Sequence, residues 1–170
     1  MKSFISIVSI VFSTYAFSTQ AIACEDEVYR QFDYWLGEWE VHTLDGTYAG
    51  TNTIRSVESG CLVLENWQSA SGGTGQSYNF YNPGTQSWRQ VWVSRGTIID
   101  YTGGFTDGAM RLEGNITYHQ NGQTFPFRGA WTPQDNGNVE QKLEQWNPKT
   151  KSWDDWFTGI YQKKKGNQKD

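Results

Sequence analysis

Four polar side chains are set among aromatic and small residues at strand spacing. Glu65 lies between Val63 and Trp67, Asn79 between Ser77 and Tyr81, and Gln90 between Trp88 and Trp92. Arg128 follows Phe127 and shares its own face with Ala130. Alternate residues of a β-strand share a face. If these faces point into a barrel, a carboxylate, amides and a guanidinium converge among rings, with Trp39, Trp67, Trp92 and Trp131 as stacking walls. Aromatic cavities with a few convergent polar groups are what small-molecule pockets look like. Arg128 would favour a ligand carboxylate. Glu65, buried among rings, would hold its proton to higher pH and act as a base, with Arg128 stabilising a developing anion. The alternative is a filled interior in which the polar groups pair with one another, Glu65 with Arg128 for instance. A slip of one residue would invert every one of these faces.

Other constellations carry less. His42 and His119 are the only histidines, too few for the usual three- or four-ligand metal site. A single His could ligate haem iron, but His119 adjoins the turn signal Asn121-Gly122 and no cofactor or metal is implied. Asp154 and Asp155 are adjacent, so on a strand they point to opposite faces and form no paired-carboxylate device. Ser71 to Gly75 lacks the Lys and following helix of a phosphate loop and reads as a hairpin tip. The formal net charge of -4 argues against nucleic acid or an anionic membrane as partner.

The elements that must position these residues are strands. Aromatics make up 16% of the 170 residues, with nine Trp, while Leu, Ile and Val are sparse, so a continuous aliphatic helix core is excluded. From Gly37 to Gln162 the chain alternates with period two, and short turns intervene every 8–12 residues or so. Asp107-Gly108, Asn121-Gly122 and Asn136-Gly137 are hairpin signals. About ten strands in sequence form an antiparallel meander, and closing it removes its edges. The expected fold is all-β: an up-and-down β-barrel, with a two-sheet sandwich as the alternative. Ahead of it, Val28, Phe32, Trp35 and Leu36 fall on one face of a short helix over 25–36, ended by Gly37.

Residues 1–23 read as a signal peptide: Lys2, an apolar run from Phe4 to Phe17, and Ala21-Ile22-Ala23. The expected barrel domain spans 24–163, and 164–170 is expected to be a flexible C-terminal tail. An exported chain meets an oxidising compartment, so Cys24 and Cys61 form a natural disulfide. Ala-Ile-Ala-Cys also matches a weak lipobox, which would lipidate Cys24 and attach the protein to a membrane.

YNPGTQSWRQVW and WNPKTKSWDDWF, 65 residues apart, repeat one phrase. Asn-Pro with a following Thr is turn chemistry. Convergent turns, an old duplication and twin ligand sites are the readings. If the corners are equivalent, Gln90 corresponds to Asp155, and Trp153, Asp155 and Phe157 share a face.

FDYWLGEWEV (Phe32 to Val41), GCLVLENW (Gly60 to Trp67), GQSYNFYNPGTQSWRQVWV (Gly75 to Val93), MRLEG (Met110 to Gly114) and RGAWTP (Arg128 to Pro133) occur in order. Together they resemble a bacterial family of unknown function with a lipocalin-like, calycin-type barrel. The resemblance implies export and the pairing of Cys24 with Cys61. It supplies no catalytic residues. The expected protein is periplasmic or secreted, monomeric or weakly dimeric, and takes a hydrophobic or amphipathic small molecule. The alternatives are an isomerase, cyclase or hydrolase working in the same cavity, and a carbohydrate binder using exposed Trp.

Overall fold

Period-two alternation and hairpin turns leave one economical arrangement, and the computed structural model adopts it. It describes residues 24–164, so the signal-peptide reading of 1–23 and all of the basic tail beyond Lys164 lie outside the described residues. The strands are β1 (Gly37–Thr43), β2 (Tyr48–Val57), β3 (Leu62–Ser69), β4 (Thr74–Asn82), β5 (Ser87–Ser94), β6 (Thr97–Thr106), β7 (Ala109–Tyr118), β8 (Thr124–Pro133), β9 (Val139–Asn147) and β10 (Ser152–Lys163). Each pairs antiparallel with its sequence neighbour, and β1 pairs with β10, from Trp39 opposite Lys163 to Thr43 opposite Gly159. The result is a closed up-and-down barrel with no free edge, so the sandwich alternative falls.

The lead-in segment is not one α-helix. It forms two 3-10 turns, Glu27–Arg30 and Asp33–Trp35. Of the apolar face expected there, Phe32 and Trp35 are buried and Leu36 packs against the core, while Val28 is only half-buried; 3-10 geometry, with about three residues per turn, stacks Phe32 directly on Trp35. Their rings lie 4.8 Å apart, and neither has any exposed surface. Gly37, at φ +139°, then turns the chain into β1, a conformation that a side chain would strain.

These turns close one end of the barrel. Phe32 contacts Trp88 and Trp131 edge to face, at 5.8 and 5.6 Å between ring centres. Trp35 packs on Trp131 and Tyr161, and its carbonyl accepts from Trp39 Nε1 at 2.9 Å. Tyr34 OH donates to the Trp131 carbonyl at 2.7 Å and accepts from Met110 N. Trp88 Nε1 donates to Gln31, and Arg30 donates to the Gly60 carbonyl. The Cys24–Cys61 disulfide ties the start of this segment to the β2–β3 connection. Cys24 is thus a disulfide cysteine, which removes the free thiol that lipidation would need. Among the described residues no helix is long and apolar enough to cross a membrane.

In a meander, successive connections alternate between the barrel's ends. The β4–β5 and β9–β10 corners, which carry the repeated phrase, therefore lie at opposite ends. They are nonetheless locally alike. Asn82 Oδ1 accepts from Gly84 N at 2.9 Å, and Asn147 Oδ1 from Lys149 N at 3.0 Å. Thr85 pairs with Ser87 and Thr150 with Ser152, each at 2.8 Å, and both turns end on a left-handed residue, Gln86 or Lys151. The repeat forms the same turn at both corners. Phe32→Ala should lower stability by about 3–5 kcal/mol, as for other aromatic deletions in a packed core, read as a reduced midpoint in urea denaturation.

Candidate functional site

The interior above the closed end is a cavity of about 280 Å³. β3, β5, β6, β9 and β10 line it because the inward parity of each strand carries a polar residue near mid-strand and a ring or aliphatic chain beyond. Glu65, Gln90, Tyr101, Gln141 and Tyr161 face it, and Trp67, Trp92, Ile99, Leu143 and Phe157 form its walls. Ala49, Ser69 and Trp156 complete the lining. Two walls depend on glycine. A Cβ on Gly75 would overlap the Trp92 ring, and one on Gly50 would come within 2.9 Å of the Trp67 ring. A bulge in β10 between Asp155 and Phe157 swings Trp156 onto Phe127, 5.5 Å between ring centres, with its indole N–H on Tyr118 OH.

The polar residues form one buried hydrogen-bonded belt. Tyr101 OH donates to Gln90 Oε1 at 2.5 Å, and Gln90 Nε2 donates to Asn79 Oδ1. Asn79 Nδ2 donates to Ser77 Oγ at 2.8 Å and to the Val63 carbonyl at 3.0 Å. Ser77 Oγ donates to Glu65 Oε2 at 2.5 Å. From the other side Asn52 Nδ2 donates to Glu65 Oε1 at 2.6 Å and to Tyr161 OH at 3.2 Å, and Tyr161 OH donates to Gln141 Oε1 at 2.9 Å. Asn52 Oδ1 is buried without a partner. Every residue of the belt is buried.

Glu65 is 3% exposed and, among the described residues, is the sole charged side chain of the lining. Burial pushes its carboxyl up to about 7, against the opposing pull of the bonds from Ser77 and Asn52. Burial also raises the Tyr101 and Tyr161 phenols well above their usual range, reinforced by the neighbouring Glu65 carboxylate. A carboxyl that changes charge near neutrality, in a cavity, can take a proton from a bound molecule or pair with a cationic one.

Of the residues singled out from sequence, Glu65, Trp67, Gln90 and Trp92 meet in the cavity. Asn79 stands behind Gln90 and joins the belt. Trp39 and Trp131 do not line the cavity. Both are fully buried in the closed half, against Tyr161, and against Phe32 and Trp35, respectively. Arg128 is on the outer surface. Its Nε meets Glu144 Oε2 at 2.7 Å and its guanidinium covers the Trp153 ring at 4.3 Å. Phe127 is fully buried, and the residue after it must face out. Arg128 and Trp131, an odd number of positions apart on one strand, could not both have faced inward. Asp155 is also outside, exposed and 3.4 Å from Lys142 Nζ, because the β10 bulge breaks the face it was expected to share with Phe157. Neither His42 nor His119 lines the cavity.

Sequence reasoning missed Asn52, Ser77, Tyr101, Gln141 and Tyr161. A signal existed for some of them. Gln141 sits between Val139 and Leu143, Tyr101 follows Ile99, and Asn52 precedes Ile54, each on one inward face. Among the described residues no cluster of three or more His, Cys, Asp or Glu could hold a metal ion. No known family model matches this chain, and no curated protein sequence matches it either.

The folded state keeps a proton on Glu65 that an unfolded chain releases from about 4.5 upward. This group's contribution therefore favours folding most below that value, declines through the window up to about 7, and stays low above it. The loss is roughly 3 kcal/mol for a shift of that size. Glu65→Gln should flatten this slope and raise stability at alkaline pH, measured by urea denaturation across the window.

Proposed function

We propose that this protein is an exported carrier or receptor that binds a small, flat, partly apolar molecule inside the barrel. The observation that carries the reading is the aromatic-walled cavity with a single buried carboxylate at its floor. Few cores leave such space beside an ionisable group unless something occupies it. Its volume of about 280 Å³ suits a molecule of one or two rings. With Arg128 outside, the described residues give the cavity no cation for a ligand carboxylate, so the preference for a carboxylate ligand loses its support. Export to a periplasmic or external space is supported by the signal-like N-terminus and the Cys24–Cys61 disulfide. The motif resemblance to lipocalin-like exported barrels supports the same reading.

One observation also favours an enzyme. A carboxyl held near 7 at a cavity floor is poised for proton transfer. Tyr101, Tyr161 and Gln141, rather than Arg128, would then stabilise the reacting group. Surface carbohydrate binding has less support, because among the nine Trp only Trp156 is exposed.

Native mass spectrometry of protein purified from its own host should reveal a non-covalent adduct, and Ala49→Trp, which blocks the mouth, should remove it while leaving the fold intact. An empty wild-type protein, or an adduct that survives Ala49→Trp, would count against cavity binding. A released molecule that the protein converts on re-addition would select the enzyme.

A further inference from the structure

The donors around Glu65 are arranged for its ionised form. Both carboxylate oxygens accept a hydrogen bond, from Asn52 at 2.6 Å and from Ser77 at 2.5 Å, short distances typical of bonds to a charged acceptor. The chain of hydrogens from Tyr101 through Gln90, Asn79 and Ser77 runs in one direction, towards Glu65. A neutral carboxyl would have to put its own hydrogen on an oxygen that already accepts one. Yet among the described residues no counter-ion faces it. The cavity lining contains no Lys, Arg or His, and the cations nearest in sequence pattern are paired outside, Arg128 with Glu144 and Arg89 with Asp100. A buried charge with hydrogen bonds and no partner is an incomplete ion pair. The surrounding walls include the rings of Trp67, Trp92 and Phe157, and aromatic rings attract positive charge.

We propose that the cavity selects a small organic cation, a protonated amidine, amine or heteroaromatic base, whose N–H groups pair with the Glu65 carboxylate while its apolar part lies against the Trp67, Trp92 and Phe157 rings. This rests on the cavity-binding reading and names its ligand class. The ligand supplies the missing counter-charge, so binding ionises Glu65. The titratable groups facing that carboxylate are Tyr101 from β6 and Tyr161 from β10, both kept as neutral phenols by burial. β2 and β4 contribute only Asn52 and Ser77. Glu65 is thus the group that titrates on binding. Below neutrality a bound cation expels the Glu65 proton to solvent, and the cation keeps its own.

Benzamidinium, benzamide and benzoate share a shape and differ in charge, and isothermal titration calorimetry separates them. Benzamidinium should bind tightest. Its affinity should fall by about tenfold per pH unit below neutrality and level off above it, with release of about one proton in the acidic range. Proton release is read from the dependence of the heat on buffer ionisation enthalpy. Glu65→Gln should weaken benzamidinium by at least about tenfold and leave benzamide little changed. If benzamide or benzoate binds as well as benzamidinium, and Ala49→Trp abolishes that binding, the cation assignment is overturned while the cavity reading stands. If benzamidinium binds without proton release or pH dependence, the pairing with Glu65 is overturned. If none of the probes binds at millimolar concentration, the cation assignment and the cavity reading fall together.

Discussion

A ten-stranded barrel is too wide to be filled by its own walls, and this constraint organises the whole molecule. Eight strands leave an interior that side chains can just fill, and each added strand widens it. The chain meets the excess width with a separate insert. Phe32 and Trp35, stacked by a 3-10 turn, fill one half of the interior and draw Trp39, Trp88, Trp131 and Tyr161 around them. Among the described residues nothing equivalent enters from the other end, and the unfilled half is the cavity. The Cys24–Cys61 disulfide and the bonds of Arg30, Gln31 and Tyr34 hold the insert in place.

The polar belt lies at the boundary between the filled and unfilled halves. Below it, rings pack on one another, with the Trp39 and Trp88 indoles donating to the Trp35 carbonyl and to Gln31; above it, rings line open space. Amides, hydroxyls and one carboxylate at that level would be costly if left unsatisfied, and almost all of them are bonded to one another. The unusual composition follows from the same geometry. Large rings such as Trp67 and Trp92 fit where a facing strand carries Gly50 or Gly75. Many glycines and many tryptophans are thus parts of one packing solution.

Much of this was legible in the sequence because a barrel wall alternates strictly. The strands, and the faces that Glu65 shares with Trp67 and Gln90 with Trp92, follow from period two and hairpin residues, whereas the side that points inward is fixed only by closure of the barrel. What was not legible came from breaks in that alternation or from closure. The β10 bulge inserts one residue and turns Asp155 outward, and no residue type announces it. The 3-10 turns mimic an α-helix because Phe32 and Trp35 suit both periods. Asn52, beside Glu65 on the neighbouring strand, reaches Tyr161 only when β1 and β10 close the wall, so the belt's membership depends on topology. Arg128 differs from these cases: its parity against Trp131 already placed it outside.

The pairing of Trp39 with Lys163 joins the first strand to the last. Until β10 is present, the other strands form an open sheet with two bare edges and no enclosed interior. No shorter N-terminal piece of the chain can close the wall, and the cavity cannot exist before the wall does. Contacts between such distant segments fold slowly. A nascent chain would therefore stay open, and adhesive at its edges, until β10 emerged.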